Sequence, residues 1–233
     1  MAALGQNRSP LAVIMLTVFI DLIGFGIVIP VLPFYVESER FDASPQMVGV
    51  LFASYSAMQL IFSPVLGKMS DRYGRRPVLF WSIIGTGIGF LILGGAQTLL
   101  MLFVGRILDG ITGGNISTAH AYVADITKPE DRAKGMGLIG AAFGVGFIIG
   151  PAIGGILTRY GISAPFYFAA ALAFLNALML YFVLPESLTA ERRAELRREL
   201  AQQPPTSRLK NCATRNSPSF CWFTFCSSCR SRS

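Results

Sequence analysis

Gly67-Lys68-Met69-Ser70-Asp71-Arg72-Tyr73-Gly74-Arg75-Arg76-Pro77 sets five charged side chains between two apolar runs, residues 46–66 before it and 77–96 after it. Each run has 20 residues or more, and about 20 helical residues cross a hydrocarbon core of roughly 30 Å. A short charged loop between two such runs reads as the turn of a membrane hairpin. Gly67 and Gly74 permit close approach or a positive φ, and Pro77 suits the first turn of the next helix. Scattered Lys and Arg would suffice for a mere surface anchor. Asp71 set among Arg72, Arg75 and Arg76 can instead build an ion-pair network, which points to a conformational latch.

Four further runs lie outward from this hairpin, at residues 11–33, 99–123, 135–158 and 162–184, and four of the six hold no charged residue. The first is too long for the apolar stretch of a signal peptide, and no small-residue cleavage site follows it, so it reads as a retained helix. The 233 residues are 52% hydrophobic and 14% charged, with a mean hydropathy of +0.53. A soluble domain is about 25% charged, so an ordinary soluble enzyme is excluded. The net charge of +7 reads as an orientation signal rather than a nucleic-acid partner. Arg8, Lys68, Arg72, Arg75, Arg76, Lys128, Arg132, Lys134, Arg192, Arg193, Arg197 and Arg198 fall on one side and only Arg40 and Arg159 on the other. This predicts both termini in the cytoplasm. Residues 185–201 read as a short charged helix with Glu191, Glu195 and Glu199 at i, i+4 spacing. Residues 202–233 read as a disordered or out-of-frame tail. All four cysteines (Cys212, Cys221, Cys226, Cys229) lie there, and Cys226-Ser-Ser-Cys229 alone is a weak metal signal.

The loop resembles the signature G-x-x-x-D-R-x-G-R-R of the major facilitator superfamily. Three other stretches are similar to that family: Asp21-Leu-Ile-Gly24-Phe-Gly26-Ile-Val-Ile-Pro30 in the first run, Arg106-Ile-Leu-Asp109-Gly110-Ile-Thr-Gly113-Gly114 in the fourth, and Gly146-Phe-Ile-Ile-Gly150-Pro151-Ala-Ile-Gly154-Gly155 in the fifth. The last looks like the motif of drug:proton antiporters, and the set is nearest to the tetracycline efflux branch over residues 10–190. The resemblance implies an all-α polytopic membrane protein whose six transmembrane helices form the N-terminal bundle of a major-facilitator fold. It also implies a charge relay of Asp71, Arg75 and Asp125, with Gly67, Arg72, Gly74 and Arg76 in the same latch, that holds the outward-facing state.

Ionisable groups at bilayer depth are costly and normally look onto a wet cavity or a protein interior. Asp21 is the one charge in its run and reads either as a proton carrier, the role the family gives a first-span acid, or as the partner of a polar group on a neighbouring helix. At about 100° per residue Arg106, Asp109, Gly113, Ser117 and His120 share a sector of about 80°, a polar stripe suited to a central cavity. Arg106 matches an arginine that the family links to proton transfer. Asp109 departs from the family's usual glutamine and reads as a static partner of Arg106, with a second titrating carboxylate as the alternative. His120 reads as a polar helix-end residue. Gly144-Val-Gly146-Phe-Ile-Ile-Gly150 and Gly85-Thr-Gly87-Ile-Gly89 follow no strand, so a nucleotide-binding reading fails. In lipid such small residues let helices pack closely, and Pro151 admits a kink. Phe25, Tyr55, Gln59, Ser63, Gly113 and Ser117 are candidates for the wall of a drug cavity or for ordinary helix contacts.

The implied activity is export of an amphipathic, tetracycline-like drug by alternating access, driven by protons through Asp21, Arg106 and Asp109, in the inner membrane of a bacterium. No cofactor, metal or nucleic acid is expected, and the partners are the lipid bilayer, protons and the drug. The family builds its pathway between two six-helix halves and one is present here. The expectation is therefore a half whose sequel was lost to a frameshift or truncation, inactive unless it dimerises or pairs with another half. A non-transporting scaffold, a transporter of another small solute and a redox or metal protein using the tail cysteines are the alternatives.

Overall fold

The computed structural model describes residues 10–187 apart from positions 39 and 42. The charged helix expected at 185–201 falls outside the described residues from 188 onward, as does the whole cysteine-containing tail. The elements are α1 (Pro10–Val36), α2 (Pro45–Tyr73), α3 (Arg75–Gly94), α4 (Leu99–Thr112), α5 (Asn115–Ile126), α6 (Arg132–Leu157) and α7 (Ala164–Val183). Short 3₁₀ turns at Pro129–Asp131 and Thr158–Tyr160 flank α6. Six helical stretches are long and apolar enough to cross a membrane, α4 and α5 together making the fourth, Leu99–Ile126. No strand occurs among the described residues.

Two features of the backbone depart from the sequence reading. The charged loop is a single residue. α2 runs on through Asp71 and Arg72 to Tyr73, and only Gly74, at φ 114° and ψ 154°, separates it from α3. A non-glycine residue avoids that region, so Gly74 performs the turn. Gly67 lies within α2, where an added Cβ would meet nothing within 4 Å, and it serves neither close approach nor a turn. The fourth span is also not one helix. Gly113 and Gly114, with ψ near zero (5° and 8°), interrupt it between α4 and α5.

Packing follows the apolar pattern. One core cluster gathers Ile14, Leu22, Leu79, Ile83, Tyr122, Ile139 and Leu180, and a second gathers Val28, Leu32, Tyr35, Leu51, Phe90, Leu93 and Phe166. A polar layer lies between them in register, at Asp21 on α1, Thr86 on α3 and residues 106–115 across the α4/α5 break. The outer surface carries large apolar side chains, among them Ile148, Phe182 and Leu100, each more than 70% exposed. Such a surface is suited to lipid rather than water. α1 and α6 meet most closely. A Cβ added at Gly150 would lie 2.5 Å from the carbonyl carbon of Gly26, one at Gly146 2.9 Å from Leu22 Cβ, and one at Gly154 3.0 Å from the Ile27 carbonyl oxygen. These three glycines recur every four residues and so form one face of α6.

Candidate functional site

A cavity of about 140 Å³ opens in the polar layer. Asp21 and Phe25 of α1, Tyr55 and Gln59 of α2, Asp109 of α4 and Gly113 at the break all line it, joined by Thr86, Phe90, Asn115 and Phe143. The polar stripe expected along span four does not survive the break. Arg106, Ser117 and His120 are absent from the cavity wall, as is Ser63. Ser117 Oγ instead donates to the Gly114 carbonyl at 2.7 Å and approaches the Ser63 carbonyl at 3.4 Å. The His120 Nδ1 atom lies 2.9 Å from Met136 Sδ on α6.

Arg106 is fully buried and sits behind the wall. Its Nη1 donates to Asp109 Oδ2 at 3.0 Å, and its guanidinium lies 4.2 Å from the Tyr55 ring centroid and 5.6 Å from that of Phe52. The aromatic faces hold a cation whose Nε and Nη2 have no hydrogen-bond partner among the described residues, a contact worth about 2 kcal/mol when desolvated. Asp109 thus presents a carboxylate already bound on one side. Gln59 Nε2 donates to the Tyr55 hydroxyl and to the Gly113 carbonyl, both at 3.0 Å, which satisfies an acceptor that the helix break leaves open.

Asp21 is arranged differently. Asn115 Nδ2 donates to its Oδ2 at 2.7 Å, while its Oδ1 is buried without a hydrogen-bond partner among the described residues. Asp21 therefore has the neighbouring-helix partner that one of its two sequence readings requires, and it also faces the cavity. Asn115 is not among the candidates that the sequence motifs single out. An asparagine inside an apolar span, directly after Gly-Gly, is the signal that could find it.

At the basic end of the bundle Asp71, Arg75 and Asp125, three residues of the expected latch, converge. Arg75 Nη1 lies 2.6 Å from Asp71 Oδ1 and Arg75 Nε 3.0 Å from Asp125 Oδ2, and Ser70 Oγ takes a further bond from Nη1 at 2.6 Å. One guanidinium thereby joins α2, α3 and α5. Arg72 lies over the Tyr73 ring, and Arg76 donates to the Tyr181 carbonyl of α7. Glu186 joins this end of the bundle although no sequence motif points to it. Its two carboxylate oxygens accept from the backbone N–H groups of Arg75 (2.9 Å) and Arg76 (3.2 Å), capping the N-terminus of α3, where negative charge is favoured. A Cβ on residue 74 would fall 2.6 Å from Glu186 Oε2. Gly74→Ala is therefore expected to displace the cap and strain the turn, at a cost of about 1–3 kcal/mol, read as a lower melting temperature of the purified chain.

The fifth-span motif divides. Gly146, Gly150 and Gly154 pack on α1, Pro151 lies inside α6, and a Cβ at Gly155 would have nothing within 4 Å.

The Major Facilitator Superfamily model matches residues 14–230. The chain is 45% identical over 189 residues to a class C tetracycline resistance protein of Escherichia coli, covering 81% of this chain and 48% of that protein. It is 42% identical to a class B tetracycline resistance protein of Escherichia coli (78% and 45% covered) and 35% identical to multidrug resistance protein 2 of Bacillus subtilis strain 168 (83% and 48%). Among solved structures, the human organic anion transporter MFSD10 (TETRAN) superposes with a TM-score of 0.70 at 28% identity, covering 78% of this chain and 49% of that one. A peptide transporter POT bound to alafosfalin gives 0.67 at 18% identity, a likeness of fold alone, over 82% and 44%. The chain spans about half the length of the curated relatives it matches.

Proposed function

This chain belongs to the Major Facilitator Superfamily, whose members are membrane transporters rather than enzymes, and we propose on that premise that its six spans form one half of a proton-coupled exporter of amphipathic, tetracycline-like drugs. The observation that carries the reading is Asp21, a carboxyl at mid-span that faces a cavity and keeps one oxygen without a protein partner among the described residues. A proton bound there cancels a charge on the cavity wall. The Arg106/Asp109 pair keeps a fixed charge balance beside it, and Phe25, Tyr55, Phe90 and Phe143 supply the apolar wall that an amphipathic solute needs. The Arg75 network is the latch that favours one of two states. A membrane potential of 100 mV supplies about 2.3 kcal/mol per charge moved, enough to bias such an equilibrium. The basic end, with both termini, faces the cytoplasm of a bacterial inner membrane, the setting suggested by relatives named for tetracycline and multidrug resistance.

We also propose that the pathway is completed by a second half or a second copy. Only 17% of the most apolar window of α2 and 22% of that around α6 are buried, against 61% in α3, so α2 and α6 present the least-covered flanks.

The test is tetracycline accumulation in cells expressing the chain, with empty cells, Asp21→Asn and Arg106→Ala alongside. With a second copy completing the pathway, expression is expected to lower accumulation, and Asp21→Asn is expected to restore it to the empty-cell level. Equal accumulation in expressing and empty cells overturns drug export by this chain. Efflux undiminished in Asp21→Asn overturns the assignment of proton coupling to Asp21.

A further inference from the structure

We propose that Asn115 is a positioning residue that holds the Asp21 carboxyl and transmits its protonation to the break between α4 and α5. The inference rests on the reading of Asp21 as the proton site. Asn115 is the first residue of α5, next to Gly113 and Gly114, and is 6% exposed. Its amide offers a donor end and an acceptor end, whereas an ionised carboxylate only accepts. The observed bond, Nδ2 to Asp21 Oδ2 at 2.7 Å, is the pairing that a carboxylate requires. A proton bound at the unpartnered Oδ1 leaves Oδ2 an acceptor, but it turns a charge-assisted bond into a neutral one of roughly half the strength. Adding the proton therefore loosens the tie between Asp21 and the residue on which α5 begins.

The other braces of the break do not respond to charge in this way. Gln59 holds the Gly113 carbonyl and Ser117 holds that of Gly114, both through neutral groups. The tie to α1 through Asn115 joins the break to a titratable group. The titratable and charged groups on the other elements around Asp21 are Asp109 on α4, with Arg106 bound behind it, and Tyr55 on α2. α3 contributes Thr86 and α6 contributes Phe143, both uncharged. On α5, His120 is turned toward Met136 of α6, and on α7 Asn176 is bonded to the Thr17 carbonyl of α1. A second hollow of about 10 Å³, between Thr17, Ile83 and Ala119, also borders Asp21 and Asn115. It is close to the volume of a single water, which leaves the contact between Asp21 and Asn115 room to lengthen.

The test is backbone hydrogen exchange at residues 110–118 of the chain in lipid nanodiscs, at mildly acid and mildly alkaline pH, each normalised to the intrinsic rate. Protection in the unaltered chain is expected to differ by about fivefold between the two conditions. The difference is expected to fall within about twofold in Asn115→Leu and in Asp21→Asn, and to persist in Asn115→Gln, which keeps the amide donor. Asn115→Ala supplies the same comparison where Asn115→Leu does not fold. A difference that survives in Asn115→Leu or Asn115→Ala, or an unaltered chain with none, overturns the inference. Neither result depends on drug movement, so the exchange data and the accumulation assay fail separately.

Discussion

Gly150→Val is expected to abolish the folded bundle or cost it about 3 kcal/mol or more, beyond the 1–3 kcal/mol of ordinary overpacking. The reason is the nature of the obstacle. A Cβ at residue 150 would lie 2.5 Å from the Gly26 carbonyl carbon, 2.7 Å from its Cα and 2.9 Å from the Ile27 nitrogen. All three are main-chain atoms of α1, so no rotamer change can relieve the clash and the two helices must part. Parting them forfeits the close packing that holds helices together where lipid offers no hydrophobic advantage. Gly155→Val, five residues further on, is the control, because nothing lies within 4 Å of its added Cβ. It is expected to change stability by no more than about 0.5 kcal/mol. Thermal unfolding of both variants in the same detergent checks the contrast, and equal stability would contradict the packing described for α1 and α6.

The second large effect is expected at the Arg106–Asp109 pair. With side chains 1% and 3% exposed, both charges are almost wholly withdrawn from the surface and lean on each other. Asp109→Leu leaves a guanidinium among Tyr55, Phe52 and helix backbone with no counter-charge, at an expected cost of about 3–5 kcal/mol. Arg106→Leu strands the carboxylate in the same way. The double variant is expected to be more stable than either single one, because a buried pair replaced by apolar groups is often nearly neutral. A double-mutant cycle by denaturant or thermal unfolding reads this coupling. Additive costs would mean that the two charges do not depend on each other.

Much of the architecture is legible because membrane helices announce themselves by length. Six apolar runs, with basic residues gathered in alternate loops, correspond to the six helical stretches, and the G-x-x-x-D-R-x-G-R-R pattern marks the place where Asp71, Arg75 and Asp125 meet. The break in span four is hidden for a physical reason. Glycine is ordinary in close-packed membrane helices, so Gly113 and Gly114 look like packing residues, and helical periodicity carries a polar stripe straight through them. The interruption puts Asn115 against Asp21 and sends Ser117 and His120 elsewhere. Periodicity also puts Arg106 on the cavity wall, because it reports which residues share a face and not what another helix brings to it. Tyr55 and Phe52 of α2 cover that guanidinium. Glu186 escapes a sequence reading because its role depends on the end of α7 lying beside the start of α3, a relation between segments more than a hundred residues apart.

The contact of Gly26 with Gly150 has a mechanical consequence. Backbone lies against backbone there, without an intervening layer of side chains whose rotamers could absorb a shift, so α1 and α6 are expected to move together as one strut. Any tilt of α1 is delivered undamped to the opposite flank of α6, where a Cβ at Gly137, Gly140 or Gly144 would meet nothing within 4 Å. Asp21 lies a little over one turn from Gly26 on that strut, which makes the uncovered flank of α6 the place where a load applied at the carboxyl emerges from the bundle.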